Sequence, residues 1–182
     1  GKTQILADVV WVIRKFRPAV IITRFPEDSR AGHGHHSGSA ILAREAFIAA
    51  ADPNRFPEQL KYVQVWQAKR IVWNTFNFGG TNTTSANQLK IDVGLYNPLL
   101  GKSYGEIAAI SRTNHKSQGF GSALQRGEAI EYFSHVAGDS AKNSLFDGID
   151  LSIKNPAVLT LLNQIISKYQ VQQPWLSIPD LI

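Results

Sequence analysis

Five residues, Ala19-Val20-Ile21-Ile22-Thr23, stand between two stretches of helical periodicity, and that order constrains the chain more than any other feature. The run is rich in β-branched side chains and short, as a buried strand is. Before it, Ile5, Val9, Val12, Ile13 and Phe16 recur at helical spacing over residues 3–16, until Pro18 prevents continuation. After it, Ala40, Ala43, Phe47 and Ala50 fall on one side of a second helix, and Asp52-Pro53 ends that run. Helix, strand, loop and helix in succession predict an α/β fold assembled from parts of βαβ units.

The rest of the chain continues in that style. Ile71, Val72 and Trp73 mark a strand over residues 68–74, and the Gly-, Thr- and Asn-rich residues 76–88 read as a mobile loop. Leu89, Ile91, Val93 and Leu95 alternate with Lys90, Asp92 and Gly94, the period of a half-exposed strand. Ser103 and Glu106 match a capping box, which opens a helix reaching about residue 115. Residues 128–137 predict a last strand. Asn155-Pro156 predicts the start of a final helix, with Val158, Leu161, Leu162, Ile165 and Tyr169 as its buried stripe.

The loop between the first strand and the second helix holds His33, His35 and His36, three of the five histidines. In an open α/β sheet, sites form outside the carboxyl ends of the strands, which is where this loop falls. His33 and His36 are three apart, so a helix starting near His36 lets both rings converge on one point. Neutral imidazole is a good zinc ligand, but a zinc site needs at least three protein ligands. His35 lies between them and could orient a neighbour instead. The bland alternative is a polar surface loop.

Composition removes several classes of function. With 43% hydrophobic and 18% charged residues among 182, the chain is globular and fits a single domain over residues 1–182. No stretch approaches the ~20 apolar residues of a membrane span. Cysteine is absent, which excludes disulfides and thiolate chemistry. The net charge of +5 comes from scattered residues with no basic run interleaved with aromatics, so nucleic acid is not the expected partner. Methionine is also absent and the chain opens directly on a helical pattern, the expectation for a fragment or processed product of a longer protein.

Elsewhere, residues 111–119 are dense in hydrogen-bonding groups. His115, Ser117 and Gln118 line a polar pocket in the functional reading; in the plain one, His115 and Lys116 face a helix C-terminus. His135 reads as a strand residue and Asp28 as a solvated loop acid. Asp147 and Asp150 read as turn formers. There is no Walker loop, GxGxxG motif or nucleophile elbow.

Three stretches, RPAVIITRFPEDSRAGHGHHSGSAILAREAF at 17–47, IDVGLYNPLLGKSYGEIAAISRTNHKSQGFG at 91–121 and RGEAIEYF at 126–133, together resemble the LmbE/PIG-L family of zinc-dependent de-N-acetylases. The likeness is closest to a bacterial branch with His-Gly-His-His and His-Lys-Ser-Gln. It implies a Rossmann-like α/β fold with a mostly parallel sheet and helices on both faces, truncated on its N-terminal side. It also implies Zn2+-dependent hydrolysis of an N-acetyl amide on a small-molecule or glycan substrate of N-acetylglucosamine type. By the resemblance, His36 is a zinc ligand, and His33 and His115 act in catalysis. Arg24, Ser117 and Gln118 bind substrate. Two departures matter. The family's His-Pro-Asp-Asp motif, which supplies two ligands and the general base, is missing from residues 1–182, so this chain alone is expected to be inactive and to hold zinc weakly or not at all. The Pro-Asp usual inside the His-x-x-His motif is here Gly34-His35, which opens the role of His33 and lets His35 compete as a ligand. The alternative is a non-catalytic carbohydrate-binding or structural domain derived from the same fold; a third reading is an interaction domain with no ligand.

Overall fold

The computed structural model describes residues 1–119 and 121–182, which form two compact units. The first comprises Gly1–Ile91 and Ile130–Ile149, the second Asp92–Ala129 and Asp150–Ile182.

The first unit has helix α1 (Lys2–Phe16), strand β1 (Val20–Thr23), helix α2 (Gly34–Ala49), strand β2 (Arg70–Asn74), and a small hairpin of β3 (Asn77–Phe78) and β4 (Thr81–Asn82). Strand β5 (Leu89–Asp92) ends at its border. The sheet has four strands in the order β1, β2, the strand Ile130–Gly138, and β5. β1 runs parallel to β2, with Ile21 opposite Ile71, whereas Ile130–Gly138 runs antiparallel to β2. The chain is therefore mixed α/β.

Helices α1 and α2 pack on each other through Leu6, Val10, Ile13, Ala46, Ala49 and Ala50, with Ile21 of β1 alongside. Phe47 of α2 reaches Ile71. Val72, Leu89 and Phe133 form a separate cluster with Val20, covered by Ala141 and Leu145 of a loop. Helices on both faces were the expectation, but in this unit a loop closes that cluster. Buried Arg70 holds the loop there, its guanidinium donating to the carbonyls of Asp139, Leu145 and Asp147.

The buried stripe of α1 is shifted from the expected one. Leu6, Val10, Ile13 and Arg14 are buried, while Ile5, Val12 and Phe16 are exposed. Both rows are apolar at helical spacing, and Arg14 decides between them. Its side chain, 1% exposed, donates to the carbonyls of Ala49, Ala50, Asp52, Arg55 and Phe56 and to Gln59 Oε1. They belong to the C-terminus of α2 and the turn after it; those of Ala49, Ala50, Asp52 and Phe56 also accept a backbone N–H, and the Arg55 carbonyl and Gln59 Oε1 have Arg14 as their partner. Turning α1 to seat Arg14 there carries Leu6 and Val10 inward.

The second unit begins where β5 ends. The expected strand over residues 89–95 stops at Asp92, because the Asp92 carboxylate accepts the N–H groups of Gly94 and Ala129 and turns the chain. Only glycine fits next, since a Cβ on Gly94 would lie 1.9 Å from the Gly127 carbonyl oxygen. Strands β6 (Tyr96–Asn97) and β7 (Lys102–Ser103) pair as a hairpin, and helix α3 (Tyr104–Thr113) follows. Its capping box is formed: Ser103 accepts the Glu106 N–H and Glu106 accepts the Ser103 N–H. Strand β8 (Ile130–Gly138) belongs to the first unit, while α4 (Pro156–Lys168) and the short α5 (Ile178–Leu181) belong to the second. Asn155 caps α4 through the N–H groups of Ala157 and Val158. The stripe expected to be buried on α4 is not: Val158, Leu161 and Tyr169 are exposed and Leu162 and Ile165 half-buried.

Candidate functional site

The chain leaves β1 at Thr23 and crosses Arg24, Phe25 and buried Pro26 into a short 3-10 turn, Ser29–Ala31. Asp28 caps that turn, accepting the Arg30 N–H at 2.9 Å, and its carboxylate pairs with the Arg30 guanidinium. The side-chain bond to Arg30 is the main reason that the Asp28 pKa is lowered from its ordinary value. Gly32, at φ +80°, redirects the backbone, and His33 then stands as extended N-cap of α2. The helix thus starts at Gly34, two residues before the expected His36.

This geometry orients His36. Its Nδ1 lies 2.9 Å from the Ala31 carbonyl oxygen. A carbonyl only accepts, so Nδ1 carries a proton, and in the neutral imidazole the free lone pair is on Nε2. The Phe25 ring stacks on the imidazole, 3.7 Å between centroids and 3° from parallel, which fixes the plane of the ring. His33 stands edge-on to it, with ring centroids 5.2 Å apart and planes at 83°. His33 and His35 are exposed and His36 half-buried. A backbone hydrogen bond on one imidazole nitrogen is the usual outer support of a metal-binding histidine. Among the described residues, no three or more His, Cys, Asp or Glu side chains gather as a metal-binding group. The chain's own donors here supply one oriented imidazole and a second beside it.

Arg24 lies at the same end of the sheet. Its Nη1 donates to Asn74 Oδ1, and Asn74 donates through Nδ2 to Glu131 Oε2 at 2.7 Å and to the Tyr132 carbonyl at 3.2 Å. Arg24 and Glu131 are 3.9 Å apart. A cavity of about 510 Å3 opens beside this network, lined by Arg24, Phe76, Phe78, Glu131 and Tyr132 among others. The sequence did not single out Asn74, Phe78 or Glu131. A signal existed for the first: Asn74 is the last residue of β2, where α/β sites collect.

The other expected site residues belong to the second unit. His115 caps a 3-10 turn, Lys116–Gln118, just beyond α3. Its Nδ1 lies 3.1 Å from the Ser111 carbonyl, and the Gln118 carbonyl accepts from Arg112. Ser117 and Gln118 are exposed. That unit has a cavity of its own, about 490 Å3, lined by Asp92, Tyr96, Ser103, Glu106, Arg126 and Glu128, and not by His115, Ser117 or Gln118. Among the described residues, no helix is long and apolar enough to cross a membrane. No protein-family model matches the chain, and no curated protein matches its sequence.

Proposed function

We propose that the chain is part of a zinc-dependent de-N-acetylase of the LmbE/PIG-L type, acting on an N-acetylglucosamine-type substrate. In this reading the parallel β1–β2 pair, with α1 and α2, is part of a Rossmann-like arrangement. One observation supports it above the others: His36 gives Nδ1 to a backbone carbonyl and keeps Nε2 for a ligand, with its ring held flat by Phe25. A solvated surface histidine needs neither restraint.

His36 fits as one metal ligand. Zinc, when bound, supplies Lewis-acid polarisation of an amide carbonyl and activation of water. His33, edge-on beside His36 and exposed, has room to exchange a proton with a leaving amine. Arg24 and its Asn74–Glu131 network bind substrate hydroxyls. The resemblance assigns two further ligands and the base to His-Pro-Asp-Asp, which residues 1–182 do not contain. Since a catalytic zinc takes three protein ligands, the 182-residue chain by itself is expected to show no zinc-dependent deacetylation.

The test is bound zinc per protein, measured beside the rate, for alanine variants of the full-length protein. His36→Ala is expected to lose zinc and activity together. His33→Ala is expected to keep zinc and lower kcat by about 10²–10⁴-fold. His35→Ala should change zinc little. Retention of zinc by His36→Ala sinks the reading.

A further inference from the structure

The end of α1 and the 3-10 turn Pro57–Lys61 form two walls of a cavity of about 660 Å3, a size within the ~300–1,000 Å3 range of small-ligand pockets. Both walls belong to the first unit. Buried Arg14 ties them together, reaching from α1 to the Phe56 carbonyl at 3.2 Å and to Gln59 Oε1 at 3.1 Å. Gln59 Nε2 returns a bond to the Ala7 carbonyl of α1 at 2.8 Å. Arg17 precedes β1 and the histidine loop follows it, so the cavity opens at the other end of that strand, and no histidine lines it.

Every charged side chain lining this cavity is a cation. The N–H groups of Arg14 are engaged with the end of α2 and the turn after it, so Arg14 contributes its field alone. Lys15, Arg17 and Lys61 are exposed, and none of them enters an ion pair among the described residues. Glu58 and Asp52 act on Arg14, but neither lines the cavity. Arg17 is held in place. It ends α1 in the left-handed region at φ 57°, where glycine is the common residue. Its guanidinium lies 4.4 Å from the centroid of the Trp66 ring, and Trp66 Nε1 donates to the Pro18 carbonyl at 2.7 Å. A guanidinium on an aromatic face keeps its N–H edge for an anion. Like charges gathered round one cavity favour an anion of more than one charge.

The same cavity offers aromatic surface. Trp11 and Tyr62 meet edge to face, with ring centroids 6.2 Å apart and planes at 72°, and Tyr62 is 78% exposed. An open ring beside unpaired cations suits a ligand that joins a planar π system to several negative charges. Inorganic phosphate would leave the rings unused, and an uncharged aromatic would leave the cations unused. A nucleic-acid strand needs a basic groove that follows its backbone, whereas these cations gather at one helix end and one turn. We infer that this cavity binds a nucleoside di- or triphosphate, with its base on Tyr62 and Trp11 and its phosphates among Lys15, Arg17 and Lys61. The inference does not rest on the proposed deacetylase function.

The experiment is calorimetric titration of the zinc-free full-length protein with ADP. Saturable binding is expected. Adenosine and pyrophosphate should each bind at least about tenfold more weakly, because each keeps half of the recognition. Tyr62→Ala should weaken ADP binding about tenfold and Tyr62→Phe should retain it. Arg17→Gln and Lys61→Gln should each weaken it severalfold, whereas Lys102→Gln, which removes a cation from the second unit, should not. All four positions are exposed or partly so, and circular dichroism checks that each variant is folded. His36→Ala should bind ADP as wild type does. Absence of saturable binding, pyrophosphate as tight as ADP, or an equal loss in Lys102→Gln and Lys61→Gln overturns the inference. So does binding lost in His36→Ala but kept in Tyr62→Ala, which would put the nucleotide at the histidine loop. An oligonucleotide that binds more tightly than ADP, and more tightly with length, overturns it in favour of a single-stranded nucleic acid.

Discussion

Arg14 shows how one side chain sets the packing of two helices. It makes six hydrogen bonds, all to oxygen atoms near the end of α2. Gln59, one of its partners, donates in turn to the Ala7 carbonyl of α1 at 2.8 Å. Replacing Arg14 by Met would fill most of the volume yet strand the Arg55 carbonyl and Gln59 Oε1 and take one of two donors from four further carbonyls. The expected loss is roughly 3–5 kcal/mol in urea unfolding. Arg14→Lys should recover little, because an ammonium has three donors and no planar fork. A loss below about 1 kcal/mol for Arg14→Met would show that water replaces the guanidinium. None of this was legible in sequence, where an arginine in a last helical turn reads as a solvated partner of the helix dipole. The histidine loop was more legible. Spacing alone brought His33 and His36 together, but the Ala31 carbonyl that orients His36 comes from a 3-10 turn that no pattern announces.

At the scale of elements, local chemistry was readable and burial was not. The Ser103–Glu106 box and the Asn155 cap are formed as their residue types dictate, because each satisfies amides within a few residues. The stripe on α4 has the same clear periodicity, yet its apolar residues lie open, since periodicity says which residues share a face and not what meets it. The box makes a testable pH prediction. The Ser103 N–H, chiefly, and the Arg126 guanidinium hold the Glu106 carboxyl below its ordinary value of 4.5. A carboxyl whose pKa is depressed by folding stabilises the fold above its unfolded pKa, and that contribution is lost as pH falls through the folded one. Glu106→Gln keeps a side chain able to accept the Ser103 N–H but loses the charge. The variant should therefore melt below wild type at pH 6, and the gap should close as pH falls below 4.5. A gap independent of pH would mean that the charge contributes nothing.

Across the whole molecule, apolar burial is unequally shared. The three clusters of buried hydrophobic side chains all lie in the first unit, around α1, α2 and the sheet. In the second, among the described residues, Ala109 is the one buried hydrophobic side chain, beside buried Ser103, Glu106 and Ser177. Burial of apolar area is the main term that opposes chain entropy, at about 25 cal/mol per Å2. Hairpins, caps and ion pairs each contribute on the order of 1 kcal/mol and do not replace it. The two units should then differ in local stability. In hydrogen exchange, amides of β2 and β8 are expected to open only with global unfolding, in the range of about 5–15 kcal/mol. Amides of α3 and α4 should exchange several kcal/mol sooner, through openings that leave the sheet intact. Denaturant should act the same way. Trp73, buried in β2, should report a later transition than helical circular dichroism, to which exposed α4 contributes. If α4 amides are as protected as those of β2, and both probes give one midpoint, then the exposed apolar row of α4 is covered in solution and the second unit shares the stability of the first.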